Sequence, residues 1–396
     1  MINIHSALPT WDLTNKRVLV RADLNVPLAN GAIAHDYRLQ SILPTIDLIQ
    51  KNGGKVIIIT HMGRPKKPTA ELSTKNLIPW FEKKGYTITW TDNLNDAYNK
   101  SLEDQKSILL CENLRFFPGE KGGDATFAQS LARLGDYYVN DAFAAMHRGD
   151  TSITLVPTYF APDKRTIGLL VEKEITTLDK LLTSSKKSFV LILGGGKVVE
   201  KLRLIENMLD KVQTILLCPA IVFTFLKALG KPVGKSLVDQ TALTICANLM
   251  EQAQQKKVSL EFPIDYQIAT DNINGPLSLV EADAFPANGI GISIGPKTVE
   301  LFKEHINNAH TIFFNAAMGF GDRKETVEGT TALLHAVAES NAFSVVGGGD
   351  SVAATETLNI HDRIDYLSTG GGATLTYLSS QTLPGLVALD IIKKST

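Results

Sequence analysis

The chain has 396 residues, 44% hydrophobic and 20% charged, and its 40 Lys and Arg against 41 Asp and Glu leave a net charge of −1. That length predicts two domains, and the balanced charge excludes the basic face of a nucleic-acid binder. Cys111, Cys218 and Cys246 are widely spaced without a CxxC pair, and there is neither a secretory leader nor an apolar run of the ~18 residues a membrane span needs. Reduced thiols, a cytoplasmic location and no membrane or nucleic-acid partner are expected.

In chain order, four short apolar runs in the first 150 residues end in polar or charged residues: RVLVRADLN, KVIIITHMGRP, SILLCENLRFF and DYYVNDAFAAMHR. Open parallel sheets bind ligands at the carboxyl ends of their strands, so these tails should converge on one crevice. Arg21, Asp23, Asn25, His61, Arg64, Arg115, His147 and Arg148 would line it. Between the first two runs, DYRLQSILPTIDLIQ carries an apolar stripe of Leu39, Ile42, Leu43 and Ile46 and is predicted to be helical. Arg38 then falls in its first turn, where a cation opposes the helix dipole and is better explained by a ligand. Arginine grips carboxylate and phosphate bidentately, so the group points to a small polyanionic substrate.

A proline-containing loop and one amphipathic helix, around Glu172 to Leu182, separate the halves. Strand-like and helix-like runs alternate on both sides of it, which predicts an α/β protein. We place the first domain at residues 1–164, a joining helix at 165–182 and the second domain at 183–375.

The second half carries three glycine triplets, each after an apolar run: Gly194 to Gly196, Gly347 to Gly349 and Gly370 to Gly372. Any one is explained by a tight strand-to-helix turn. Their neighbours add chemistry: Lys197 and Lys201 after the first, Asp350 and Ser351 after the second, Ser368 and Thr369 before the third. Bare backbone N–H groups, cations for phosphoryl oxygens and a carboxylate for magnesium are the parts of a phosphoryl-transfer site. The GxGxxG opening of a dinucleotide-dependent oxidoreductase is missing.

Taken in order, VRADLNVP, HMGRP, ENLRFFPGE, VNDAFAAMHR, VEKE, GGGKVVEKL, IGPKT, VVGGGDS and STGGGA make the chain resemble a phosphoglycerate kinase over nearly its whole length. The resemblance implies two doubly wound parallel-sheet (Rossmann-like) α/β domains joined by a hinge helix, with residues 376–396 returning to the first domain. It also implies a monomer, with 3-phosphoglycerate or 1,3-bisphosphoglycerate on the first domain and magnesium with ADP or ATP on the second. Carried over by position, Asp23, Leu24, Asn25, His61, Met62, Gly63, Arg64, Arg115 and Arg148 would contact the triose acid, with Arg21 beside them and Arg38 pointing at the transferring group. Lys197 would follow the phosphoryl in flight, Lys201 would hold nucleotide phosphates, and the N–H groups of Gly371 and Gly372 would receive transition-state charge. Asp350 would ligate magnesium, Asn315 would lie near the polyphosphate and Asp322 would face the ribose. Gly195, Gly196, Ala220, Gly291, Gly348, Gly349 and Ser351 complete the nucleotide set.

The departures from the family pattern cluster. Cys218, Pro219 and Ala220 replace a glycine triplet, Ala317 and Phe320 change the run after Asn315, Asp322 stands for a glutamate and Ser293 for an aspartate. Asp150 occupies the place of a second histidine after His147. Adenine-specific, relaxed and guanine-preferring versions of the kinase stay open, as does a catalytically weak relative acting as an interaction protein. Because an acyl phosphate must be shielded from water, the domains are expected to close about the hinge helix. Small-angle scattering should show a smaller radius of gyration with both ligands than with either alone; an unchanged radius in a fully active ternary mixture contradicts closure.

Overall fold

The computed structural model of the chain describes residues 4–29, 32–103 and 106–392. The chain divides into two compact units, residues 1–176 with 382–396, and residues 177–381.

The first unit holds β1 (Arg17–Ala22), a small hairpin of β2 (Leu28–Ala29) and β3 (Ala32–Ile33), then β4 (Lys55–Ile59), β5 (Ile88–Thr91), β6 (Ile108–Cys111), β7 (Tyr137–Asp141) and β8 (Arg165–Ile167). Apart from the hairpin these form one parallel sheet in the order β5-β6-β4-β1-β7-β8. Its central strands read as near-continuous apolar runs because helices cover both faces, and Val18, Leu19, Val20, Ile57, Ile58 and Val139 are buried. Winding reverses between β1 and β7, whose ends lie side by side with Arg21 paired to Asn140 and Ala22 to Asp141. Such a reversal opens a crevice at the carboxyl ends of the strands.

The predicted helix after β1 runs Tyr37–Lys51, burying Leu39, Ile42, Ile46 and Ile49 with Thr45, while Leu43 is only half-buried. Residues 165–167, expected to begin the joining helix, instead form the edge strand β8, and the helix runs Leu169–Leu182. The break is enforced at Gly168, where a Cβ would lie 2.2 Å from the Asp141 carboxyl carbon. Asp141 accepts hydrogen bonds from the Val171 N–H and Thr45 Oγ1, and Thr45 in turn accepts from the Leu169 N–H. The first turn of the helix is thereby capped from inside the unit. The returning segment joins this unit from Thr382, later than the predicted residue 376. Leu383 and Leu386 are buried, and the Gly385 N–H donates to the Met146 carbonyl.

The second unit contains β9 (Phe189–Gly195), β10 (Thr214–Ala220), β11 (Ser259–Glu261), β12 (Asp265–Thr270), β13 (Leu277–Glu281), β14 (Gly289–Ile294), β15 (Thr311–Asn315), β16 (Phe343–Gly347) and β17 (Tyr366–Ser368). Its main sheet is parallel in the order β11-β10-β9-β15-β16-β17, with winding reversing between β9 and β15. The strands β13-β12-β14 form a separate antiparallel sheet that the sequence pattern did not announce. Both units are therefore doubly wound, and each reversal falls beside a motif singled out in the sequence.

Burial pushes the Asp141 carboxyl up to about 7, against the hydrogen bonds from Thr45, Val171 and Leu170. Between about pH 4 and this value the folded chain keeps a proton that the unfolded chain has released, so stability is lost as pH rises through the window. Melting curves should show a fall across that range that is flatter in Asp141→Asn; parallel curves for the two proteins would contradict it.

Candidate active site

In the first unit the residues at the ends of β1, β4, β6 and β7 meet. Asp23 pairs with Arg38, which holds the cation of the first helical turn against its adverse dipole. Asn25 Oδ1 accepts from the Gly63 N–H at 2.7 Å, tying the loop after β1 to the loop after β4. His61 is 1% exposed and lies between two guanidiniums, with Nδ1 3.0 Å from Arg21 Nη2 and Nε2 3.0 Å from Arg148 Nη1. Burial first, then Arg21, Arg115, Arg148 and Arg38, hold His61 well below its ordinary pKa. A neutral ring accepts from one arginine, whereas a protonated ring would accept from neither.

Arg21, Leu24 and Met62 lie deeper than the other residues of this group. The Arg21 side chain is fully buried, with Nε donating to Ser152 Oγ at 2.8 Å, Nη2 lying 4.0 Å from Glu120 and the same Nη2 3.0 Å from His61 Nδ1, so it orients His61 from beneath. Ser152 Oγ donates to Glu120 Oε1 at 2.6 Å, so the carboxylate that offsets Arg21 is itself hydrogen-bonded. Leu24 and Met62 put their side chains into the apolar core. Gly63 gives its carbonyl to Arg115 and its N–H to Asn25, while Arg64 is exposed.

Four positioning residues were missed. Asn113 accepts from the Met62 and Arg115 N–H groups and donates to the Met62 and Leu72 carbonyls at 2.8 Å, so one side chain fixes three loops. Its place in ENLRFF, polar at a strand end, was the available signal. Thr60, which accepts from the Leu24 N–H, ends an apolar run in the same way. Glu120 and Ser152 gave no signal.

In the second unit, a cavity of about 200 Å³ is lined by all three glycine triplet turns together with Lys197, Lys201, Asn315, Ala317, Asp350, Ser351 and Leu375. The helices Val198–Met208, Gly349–Thr357 and Gly372–Ser380 all begin at this cavity. Their unpaired N–H groups and dipoles make it a site for anionic oxygens. Gly371 has φ +52° with open space where a Cβ would stand, so it is its backbone conformation, and not crowding, that calls for glycine. Lys197 itself has φ +57°, a left-handed conformation that costs on the order of 1–3 kcal/mol and is found at ligand clamps. Asn315 Nδ2 donates to the Gly347 carbonyl at 2.7 Å, bracing the second triplet. Lys201 is buried beside Lys197, and its Nζ donates to the Gly196 carbonyl at 2.8 Å.

Ala220, Gly291 and Asp322 do not line this cavity. Ala220 ends β10 beside Gly195, Gly291 lies against the Phe223 ring, and Asp322 is exposed on the turn after Phe320, itself 39% exposed. Cys218 and Pro219 are buried within β10, with Cys218 facing Gly194, so of the altered run only Ala220 is partly open.

An arginine crevice in one doubly wound unit and a cavity of helix N-termini and lysines in the other are the features of a two-unit α/β phosphotransferase. The family model described as phosphoglycerate kinase matches residues 8–381. A phosphoglycerate kinase of Dictyoglomus turgidum is 40% identical over 388 residues, 96% of each chain, and one of Finegoldia magna is 38% identical over 391 residues, 97% of this chain and 98% of its own. The structure of phosphoglycerate kinase from Coxiella burnetii matches with a TM-score of 0.80 at 35% identity, covering 96% of this chain and 97% of that one. That from Pyrococcus horikoshii matches at 0.79 and 28% identity, covering 96% and 98%. The chain belongs to the phosphoglycerate kinase family, and it is a phosphotransferase acting on a carboxyl group.

Burial, followed by the neighbouring Lys197, pushes the Lys201 ammonium down to about 8, with Glu200 and Asp350 opposing. As pH rises through that value the cavity loses a cation, so nucleoside diphosphate affinity should fall by roughly tenfold between pH 7 and 9.5. Lys201→Arg keeps its charge and should flatten the fall in calorimetric titrations. An equal fall in both proteins would place the titration elsewhere.

Proposed function

We propose that the arginine crevice holds 3-phosphoglycerate or 1,3-bisphosphoglycerate, and that the glycine-rich cavity holds the phosphates of ADP or ATP with magnesium. The supporting observation is the convergence of Lys197, Lys201, Asp350 and three helix N-termini on one cavity of about 200 Å³. In the glycolytic direction the bond between phosphorus and the acyl oxygen breaks while a new bond forms to a terminal oxygen of ADP. The leaving group is a carboxylate, and in reverse the nucleophile is that carboxylate, with no proton to remove. A general base is therefore unnecessary, and among the described residues the ionisable groups lining the cavity are Lys197, Lys201 and Asp350.

What remains is positioning and charge stabilisation around a loose transition state. Arg38 and Lys197 each act on the transferring group, and the N–H groups of Gly371 and Gly372 take up charge on its oxygens. Arg64, Arg115 and Arg148 hold the triose acid, oriented by neutral His61, while Lys201 and Ser351 hold the nucleotide phosphates. Asp350 stands on the first turn of its helix, and among the described residues no group of three or more His, Cys, Asp or Glu could hold a metal alone. One carboxylate plus substrate phosphates suits magnesium, which Asp350 would help to hold and which would supply positive charge to offset that of the phosphates. The base rests near Ala220, Gly291 and Phe320 and the ribose near Asp322, held by shape and stacking more than by directed hydrogen bonds.

We further infer a cytoplasmic monomer without nucleic-acid or membrane partners. The net charge is −1, and no helix among the described residues is long and apolar enough to cross a membrane.

A coupled assay should show magnesium-dependent turnover with ADP and measurable turnover with GDP. Lys197→Ala and Arg38→Ala should each lower kcat by about 100-fold or more with little change in KM, because both residues act on the transition state. Absence of turnover with any purine nucleotide, or intact kcat in both variants, overturns the assignment.

A further inference from the structure

Three carboxylates lie among the arginines of the first unit, and two are fully engaged. Asp23 pairs directly with Arg38, and Glu120 is hydrogen-bonded through both oxygens to Ser152. Asp150 differs. Its side chain is 7% exposed, and its oxygens lie 3.9 Å from Arg115 Nη2 and 3.9 Å from Lys121 Nζ, beyond hydrogen-bond reach. Oδ2 has no hydrogen-bond partner, and although Asp150 precedes the helix Thr151–Thr154 its side chain does not cap it.

Arg115 is the other half of this loose pair. Its Nη1 donates to the Gly63 carbonyl, its side chain is 5% exposed, and Nε is buried without a partner. The edge formed by Nε and Nη2 is the fork that grips a carboxylate or phosphate bidentately, and here it carries one orphan donor and one donor held only at a distance. An anion that takes this edge completes Arg115, and it does so against the charge of Asp150.

We propose that Asp150 sets the affinity and release rate of the crevice as an internal competitor of the bound anion. This rests on the reading of the crevice as the triose-acid site. Its carboxylate steadies Arg115 and repels the phosphate or carboxylate that arrives there. Binding is weakened and release hastened, more strongly for ligands of greater negative charge.

The test titrates 3-phosphoglycerate and, separately, inorganic phosphate into the full-length protein and its Asp150→Asn and Asp150→Glu variants. Loss of the charge should tighten both anions by about tenfold at low salt, as expected for removing a like charge a few ångströms away, with the gain shrinking as salt is added. Turnover should show a lower KM with equal or lower kcat, and Asp150→Glu should restore the original values. Asp150→Ser, whose hydroxyl can cap the short helix, replaces the Asn variant if the latter melts early. Equal or weaker binding in a charge-free variant that melts like the parent overturns the proposal and makes Asp150 a structural partner of Arg115. If the parent takes inorganic phosphate but not 3-phosphoglycerate, the substrate assignment fails, and the ratio of phosphate affinities still decides the role of Asp150.

Discussion

Like charges do not gather without help, and the first unit is organised around that repulsion. Arg21, Arg38, Arg64, Arg115 and Arg148 share one rim of a parallel sheet, and an uncompensated buried charge is among the most expensive features a fold can carry. Each deep guanidinium has its own answer. Asp23 meets Arg38 directly, Glu120 meets Arg21 through Ser152, and Asp150 stands off from Arg115. His61 contributes by staying neutral between Arg21 and Arg148. Arg64 is exposed on the same rim, and on the proposed reading its charge, with those of Arg115 and Arg148, is the one offered to the triose acid.

The second unit meets a similar demand differently. On the proposed reading polyphosphate is received by backbone, with three helix N-termini and two lysines standing where the other unit uses arginines. Partial charges on N–H groups are fixed by the fold and need no counter-ions, so the exposed carboxylate in the cavity lining, Asp350, is not consumed by them. Both arrangements use the same topological device, a reversal of winding between two neighbouring strands, β1 with β7 and β9 with β15.

Much of this was legible in the residues because the signals are local. Apolar spacing marked the helix Tyr37–Lys51, and the glycine triplets marked strand-to-helix turns whose backbone meets the cavity. Arg21 shows where locality ends. In RVLVRADLN it looks like any strand-end arginine, and its burial depends on Ser152, 131 positions away. The strand at 165–167 was read as helix because it is three residues long and lies against a stronger helical pattern. β13 was hidden for a related reason: its residues are half or fully exposed, so no apolar alternation announces it. Cys218 was grouped with Pro219 and Ala220 as a departure from the family pattern, whereas the direction of its side chain follows from the register of β10 on β9.

The order in which the chain is made bears on one feature of the first unit. Residues 177–381 are contiguous, so the second unit has all its parts as soon as residue 381 is free of the ribosome. The first unit draws on both sides of that stretch: Leu383 and Leu386 are buried in it, the Gly385 N–H pairs with Met146, and Arg165 pairs with Asp390. Its β-sheet can assemble early in synthesis, but the surface around Met146 and Ile153 stays uncovered until the later unit has been translated. For that interval a patch of apolar side chains is left for chaperones or for another nascent chain. Translation speed through the second unit thus sets how long the first remains unfinished.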